Sequence, residues 1–366
     1  MPKILYIGGF EMPDKNAAAQ RVLSIAKVLK ALGYSISFYG ITKSKDFHGV
    51  VNGFNYEAKD YPANFLQWVR YAVGFGIIGY VRKHKPEYVI TYNYPAIAQF
   101  RLVCYCRLNN IKIVGDITEW YESKEVIKHI DTSLRMRWCN KLLDGIICIS
   151  SYLSKYYSRQ RCLQLPPLVD LEEPKWKKIE INNKDSNIHL VYVGSPGKKD
   201  RLDYIINGIF QTKISNLHLD VIGITENEYK KTYPEFQNVK ETDFVSFYGR
   251  MPHNDAVQKL SQSDFQIFFR DNSRVNNAGF PTKLVESLSA GVPVITNKIS
   301  NISDYLIDGY NGFMIDTPSE ENIREILLKI STLSPQNICE LKNHISIHVF
   351  DYHNYINDIS LFFQSI

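Results

Sequence analysis

The chain has 366 residues, 45% of them hydrophobic, with a formal net charge of +5. That length exceeds one small core and suits two domains, and the absence of low-complexity tracts or a collagen-like repeat excludes a largely disordered or fibrous chain. The charge is uneven, with 23 Lys and Arg against 12 Asp and Glu in residues 1–168 and 20 against 26 in residues 169–366, so the first half carries either a solvated basic face or a surface for an anionic partner, a membrane or a phosphate-bearing ligand ahead of a nucleic acid.

The opening residues, MPKILYIGGF, read as a buried strand entering a glycine loop, without the pattern of a secretory signal, so a cytoplasmic chain is expected. The helical period of AAQRVLSIAKVLKALG follows, stopped at Gly33, and YSISFYG gives the next strand. The longest apolar stretch, Tyr71 to Val81, is shorter than the ~20 residues that span a bilayer. Arg82, Lys83 and Lys85 follow it, and SLRMRWCNK adds Arg135, Arg137 and Lys141; both segments read either as buried helices or as a face resting on an anionic membrane. EYVITYN, KIVGDI and GIICIS continue the strand series at crossover spacing, the signature of a parallel sheet.

Between LPPLV and NIHL the chain is rich in Pro, charge and Asn with no sustained period, and a linker is placed at 169–186. A second strand series then runs through HLVYVGS, HLDVIG, VSFYGR, DFQIFFR and PVIT. The expected fold class is α/β, with two Rossmann-like parallel-sheet domains at 1–168 and 187–345 facing across a cleft and a C-terminal helix at 346–366. Ligands of such folds bind at the carboxyl ends of the strands. Six cysteines (Cys104, Cys106, Cys139, Cys148, Cys162 and Cys339) and nine scattered histidines show no metal-ligand spacing, so reduced thiols and no metal site are expected.

The most informative stretch is NNAGFPTKLVESLSAGVPVITN, residues 276–297. Gly279 and Pro281 introduce a helix running from near Thr282 to Gly291, whose uncapped N–H groups and dipole favour a diphosphate, with Lys283 adding positive charge. Glu286 lies one turn further along, suited to accept hydrogen bonds from ribose hydroxyls. An ordinary helix of a doubly wound fold would account for Gly291 and Pro293 but not for a Lys and a Glu in these first turns.

This stretch resembles the donor-binding signature of family 4 glycosyltransferases (glycosyl transferases group 1), and the resemblance extends along most of the chain. GGFEMPDKNAAAQRVLSIAKVLKALGY resembles the first glycine loop and helix, IICISSYLSKYY the element before the linker, and LPPLVD the turn that ends the first domain. YVGSPGKKDRLDYII resembles the phosphate loop, and FYGRMPHNDAVQKLSQSDFQIFF the base-binding strand and following helix. The resemblance implies a GT-B fold and a retaining transferase, moving a sugar from a nucleotide diphosphate donor, with UDP the first choice, to a glycan or lipid-linked acceptor in surface polysaccharide biosynthesis. It implies no cofactor and no metal, and a cytoplasmic protein, peripheral in some cases on the inner face of the membrane.

Residue by residue, the resemblance implies that Gly8 and Gly9 let the first loop approach both substrates. Gly194, Ser195, Lys198 and Lys199 fall in the phosphate loop, with Lys198 or Lys199 neutralising the leaving diphosphate. Gly249, Arg250 and Met251 would surround the base, Gly279, Phe280, Pro281, Thr282, Lys283 and Leu284 would line the donor, and Glu286 would hold the ribose. Three departures stand out: Ala278 replaces the usual first acidic residue, Ser195 the usual Arg, and Asp116 and Glu119 stand where a histidine is expected. One of these two carboxylates is expected to face the acceptor, with a strand-end cap the alternative for Asp116. Ala278 leaves open a non-catalytic nucleotide-sugar-binding partner of an active transferase, and the fold leaves open a nucleotide-sugar epimerase.

Overall fold

The computed structural model describes residues 1–12, 17–43, 47–177, 187–194, 200–236 and 244–366. The chain divides into two compact units, each built on its own sheet. The first comprises Met1–Val169, Ala278–Phe280 and Tyr352–Ile366; the second comprises Asp170–Asn277 and Pro281–Asp351.

The first unit holds strands β1 (Lys3–Gly8), β2 (Ser35–Thr42), β3 (Phe47–Val51), β4 (Phe54–Asp60), β5 (Tyr88–Tyr92), β6 (Lys112–Ile117), β7 (Gly145–Cys148) and β8 (Cys162–Gln164). Their order is β3-β4-β2-β1-β5-β6-β7-β8, parallel throughout except for the β3–β4 hairpin at the edge. A parallel strand covered on both faces needs consecutive apolar residues. In β1, Ile4, Leu5, Tyr6 and Ile7 are all buried. The helix Ala17–Ala31 covers one face with Val22, Ile25, Val28 and Leu29.

The C-terminal helix Ile356–Ser365 belongs to this same unit: Ile359, Phe362 and Phe363 join the core formed by Ile4, Tyr6 and Val22. Gly145 makes room for it, since a Cβ there would stand 2.7 Å from Phe362 Cζ. Each buried phenylalanine contributes roughly 1.5–3 kcal/mol, enough to hold the end of the chain in place. Ala278–Phe280 is tied to this unit by Ser150, whose hydroxyl donates to the Ala278 carbonyl at 2.7 Å.

The second unit holds β9 (Ile188–Val193), β10 (Leu217–Ile222), β11 (Val245–Gly249), β12 (Phe265–Ile267), β13 (Val294–Asn297) and β14 (Gly312–Ile315) in the order β11-β10-β9-β12-β13-β14, all parallel. The chain winds outward from β9 to β11, then returns to lay β12 on the other side of β9. Each sheet therefore has a switch point, at β1/β5 and at β9/β12, where the connections diverge and leave a crevice at the strand ends. On one face of the second sheet Val191 and Ile222 pack with Ala256, Leu260, Ala290 and Val292.

The apolar stretch Tyr71 to Val81 is not one helix. Gly74 (φ +64°) and Gly76 (φ +82°) separate Phe65–Ala72 from Ile77–His84. Among the described residues no helix is long and apolar enough to cross a membrane.

Candidate active site

The helix Thr282–Ser289 begins directly after Pro281, as the PTKLVES pattern demands. Its second residue, Lys283, turns inward and is 8% exposed. Lys283 Nζ donates to Asp200 Oδ2 at 2.9 Å and lies 4.8 Å from the centre of the Tyr192 ring. Asp200 accepts two further bonds, from the Tyr192 hydroxyl at 2.6 Å and from Arg270 Nε at 2.7 Å. Burial alone would raise the Asp200 pKa; Lys283 and then Arg270 overcome it and hold the carboxyl well below its usual range. Arg270 is fixed by Asn297, which accepts from its backbone N–H at 2.9 Å and donates to its carbonyl at 3.0 Å.

These residues follow the carboxyl ends of β9 and β12 and end β13, which places the cluster at the switch point of the second sheet. Gly194 completes it. At φ +142° it adopts a conformation other residues avoid, and a Cβ would stand 2.5 Å from Lys283 Nζ.

One turn further along the same helix, Glu286 is partly exposed, its Oε1 3.1 Å from His253 Nε2. His253 starts the helix that follows Gly249, Arg250 and Met251, so the pair joins the proposed ribose residue to the proposed base segment. The Gly249 N–H is donated to the Ile224 carbonyl and its own carbonyl accepts from the Gly223 N–H, so its backbone is committed inside the unit. Met251 packs partly against the core and Arg250 is exposed. Phe280 and Leu284 are core residues rather than lining, 5% and 0% exposed, and Pro281 is buried beside them; Thr282 remains partly exposed. Gly279 and Phe280 cluster with the first unit, not with Thr282 and Lys283. Ser195, Lys198 and Lys199 lie outside the described residues.

In the first unit, Asp116 is not placed to meet an acceptor. It is fully buried, its two oxygens taking Arg21 Nη2 at 2.8 Å, Arg21 Nε at 2.9 Å and the Tyr6 hydroxyl at 2.6 Å. Arg21 Nη1 donates to both the Leu165 and Pro166 carbonyls. A carboxylate locked into a buried ion pair reaches no external hydroxyl, so Asp116 is structural. Glu119, three residues on, lies in the loop after β6, partly exposed and close enough to Tyr92 to act on it electrostatically.

Gly8 ends β1, where a Cβ would stand 2.6 Å from Tyr92 Cβ, so close strand approach requires glycine there. Gly8 borders a cavity of about 330 Å³ at the ends of β1, β2 and β4, walled by Tyr39, Arg70, Tyr71, Phe75 and Tyr94. The position of a Gly9 Cβ falls 3.4 Å from the Tyr71 hydroxyl, whose pKa burial pushes up to about 12. Among the described residues no three His, Cys, Asp or Glu side chains gather as a metal site.

Residues 173–345 match the family model for glycosyl transferases group 1. An uncharacterised glycosyltransferase of Methanocaldococcus jannaschii is 23% identical over 298 residues, 70% of this chain and 80% of that protein. An uncharacterised protein in the cps region of Klebsiella pneumoniae is 23% identical over 140 residues, 38% of this chain and 36% of that protein. Among solved structures, Anabaena HepE in complex with UDP-glucose superposes with a TM-score of 0.73 over the whole of both chains at 12% identity. The lipopolysaccharide outer core galactosyltransferase WaaB superposes at 0.66, with 14% identity over 98% of this chain and 99% of that one. The matched segment is a glycosyl transferases group 1 domain, and the chain is a glycosyltransferase with the GT-B fold.

Proposed function

We propose that the chain transfers a hexose, with retention of configuration, from a nucleotide diphosphate sugar to a glycan or lipid-linked acceptor of surface polysaccharide. The observation that carries this reading is the switch-point cluster, where Lys283 and Arg270 flank one carboxylate and leave an excess positive charge at the end of β9. A diphosphate bound there would be stabilised as the bond from anomeric carbon to phosphate oxygen breaks. The acceptor hydroxyl attacks from the same face of the sugar while its proton passes to an oxygen of the leaving phosphate. This route requires positioning more than a strong protein base, so the burial of Asp116 does not stand against it. Glu286 would hold the ribose while His253 fixes its carboxylate, and Arg250 and Met251 would flank the base.

UDP is the proposed nucleotide, in keeping with the UDP-glucose bound to HepE. The cavity beside Gly8 is the proposed acceptor site, its tyrosines offering flat faces to a sugar ring and Arg70 a charge for a phosphate. Metal-independent transfer is part of the proposal. So is a peripheral seat on an anionic membrane: Phe65, Leu66, Trp68 and Val69 on one helix and Val126, Ile127, Ile130 and Leu134 on another are exposed, both helices pack on Ala96–Leu108, and Arg70, Lys128 and Arg137 lie among these residues.

The test is nucleoside diphosphate release from UDP-, GDP- and TDP-sugars, with and without lipid-diphosphate-sugar acceptors. Release from one donor, abolished by Glu286→Ala, is the expected result. Donor binding without turnover for every acceptor offered would contradict the proposal.

A further inference from the structure

We propose that Arg270 is a phosphate-binding residue of the donor site, aimed by Asp200; this rests on the glycosyltransferase reading above. Asp200 is 4% exposed, yet two cations share its single carboxylate, which leaves the buried group one positive charge in excess. An uncompensated charge in so dry a place is costly unless an anion completes it.

The guanidinium is built for that anion. Asp200 takes only Nε, at 2.7 Å, and among the described residues Nη1 and Nη2 form no hydrogen bond. The Arg270 backbone is pinned on both sides by the buried Asn297 side chain. An arginine held by its Nε edge and its main chain presents the other edge as a fixed two-pronged donor, the geometry that recognises phosphate oxygens. Its side chain remains 15% exposed, against 5% for that of Asp200, so a ligand reaches the guanidinium before the carboxylate. A purely structural ion pair would bury or satisfy the outer edge. Lys283 supplies a point charge from the neighbouring helix, and the two together form a clamp for two linked phosphates, more than a single phosphate requires.

The experiment is calorimetric binding of UDP, UMP and uridine to the full chain and to Arg270→Gln, with thermal melting to confirm that the variant is folded and Arg270→Lys as the conservative control. The wild type is expected to bind UDP most tightly. In Arg270→Gln, UDP affinity is expected to fall about 10- to 100-fold, the loss of a charge-assisted hydrogen-bond pair, while uridine affinity stays unchanged and Arg270→Lys recovers part of the loss. Unchanged UDP binding in Arg270→Gln would overturn the inference, as would equal losses for UDP and uridine, which mark a structural role. A wild type that binds no nucleoside diphosphate at all, GDP and ADP included, would overturn the donor-site reading itself.

Discussion

Gly194 and Lys283 occupy one another's space: the ammonium nitrogen of Lys283 sits 2.5 Å from where any Cβ at position 194 would be. The approach of Gly194 to the helix after Pro281 therefore depends on one missing side chain. Gly194→Ala would push Lys283 away from Asp200 and force alanine to a φ of +142°. Strain of that kind costs on the order of 1–3 kcal/mol. The expected outcome is a lower melting temperature together with a fall in kcat/KM larger than the stability loss explains, read by turnover well below the melting range.

Asp116 is expected to matter for folding. Asp116→Ala leaves the Arg21 guanidinium, 3% exposed, without its carboxylate. Removing one partner of a buried pair costs about 3–5 kcal/mol, a shift that guanidinium unfolding resolves. A variant of wild-type stability that had lost turnover would instead make Asp116 a participant in the chemistry.

Asp200 gives the acid side of the stability profile a defined sign. Its folded pKa is depressed, mainly by Lys283 and Arg270 against the opposing effect of burial. Its contribution is therefore fully present above the unfolded carboxylate pKa of about 4 and is lost as the pH falls below that toward the folded value. The stability gap between wild type and Asp200→Asn should be widest near neutrality and shrink below about pH 4, measured by urea midpoints across that range. A gap that does not change with pH would show that the carboxylate is not charged in the folded protein.

The fold was legible where burial imposes a simple pattern. β1, β2, β5, β6 and β7 of the first sheet and β9 to β13 of the second read as short apolar runs between helices, and PTKLVES announced its own helix start, whereas the short strands β8 and β14, of three and four residues, gave no such run. The β3–β4 hairpin escaped because it is an edge, where β3 leaves His48 and Val50 facing solvent and breaks the buried pattern. Its signal was present all the same: Asn52 and Gly53 both take positive φ, +50° and +78°, the conformation a tight two-residue hairpin turn needs. The site was legible only in part. Lys283 and Glu286 stand in one local motif. Asp200 and Arg270, in contrast, are partners across 70 residues and Asp200 and Lys283 across 83, so no local pattern encodes them. Asp116 misled for the same reason, since its partner Arg21 lies 95 residues away on the first helix.

The exposed apolar helices of the first unit predict vesicle binding. The full chain should sediment with vesicles containing anionic phospholipid and far less with phosphatidylcholine alone, and rising salt should weaken the association. Phe65→Glu together with Ile127→Glu should abolish it without altering the melting temperature, because both side chains are largely exposed. Equal binding to both vesicle types would show that the face does not select an anionic surface.

Whether the donor sits at Lys283 is read from the position of a nucleoside diphosphate in a co-crystal of the full chain. The phosphates are expected within about 3 Å of Lys283 Nζ, beside Gly194, with the ribose on Glu286. A diphosphate found instead in the first unit, with Lys283 still bound only to Asp200, would contradict it.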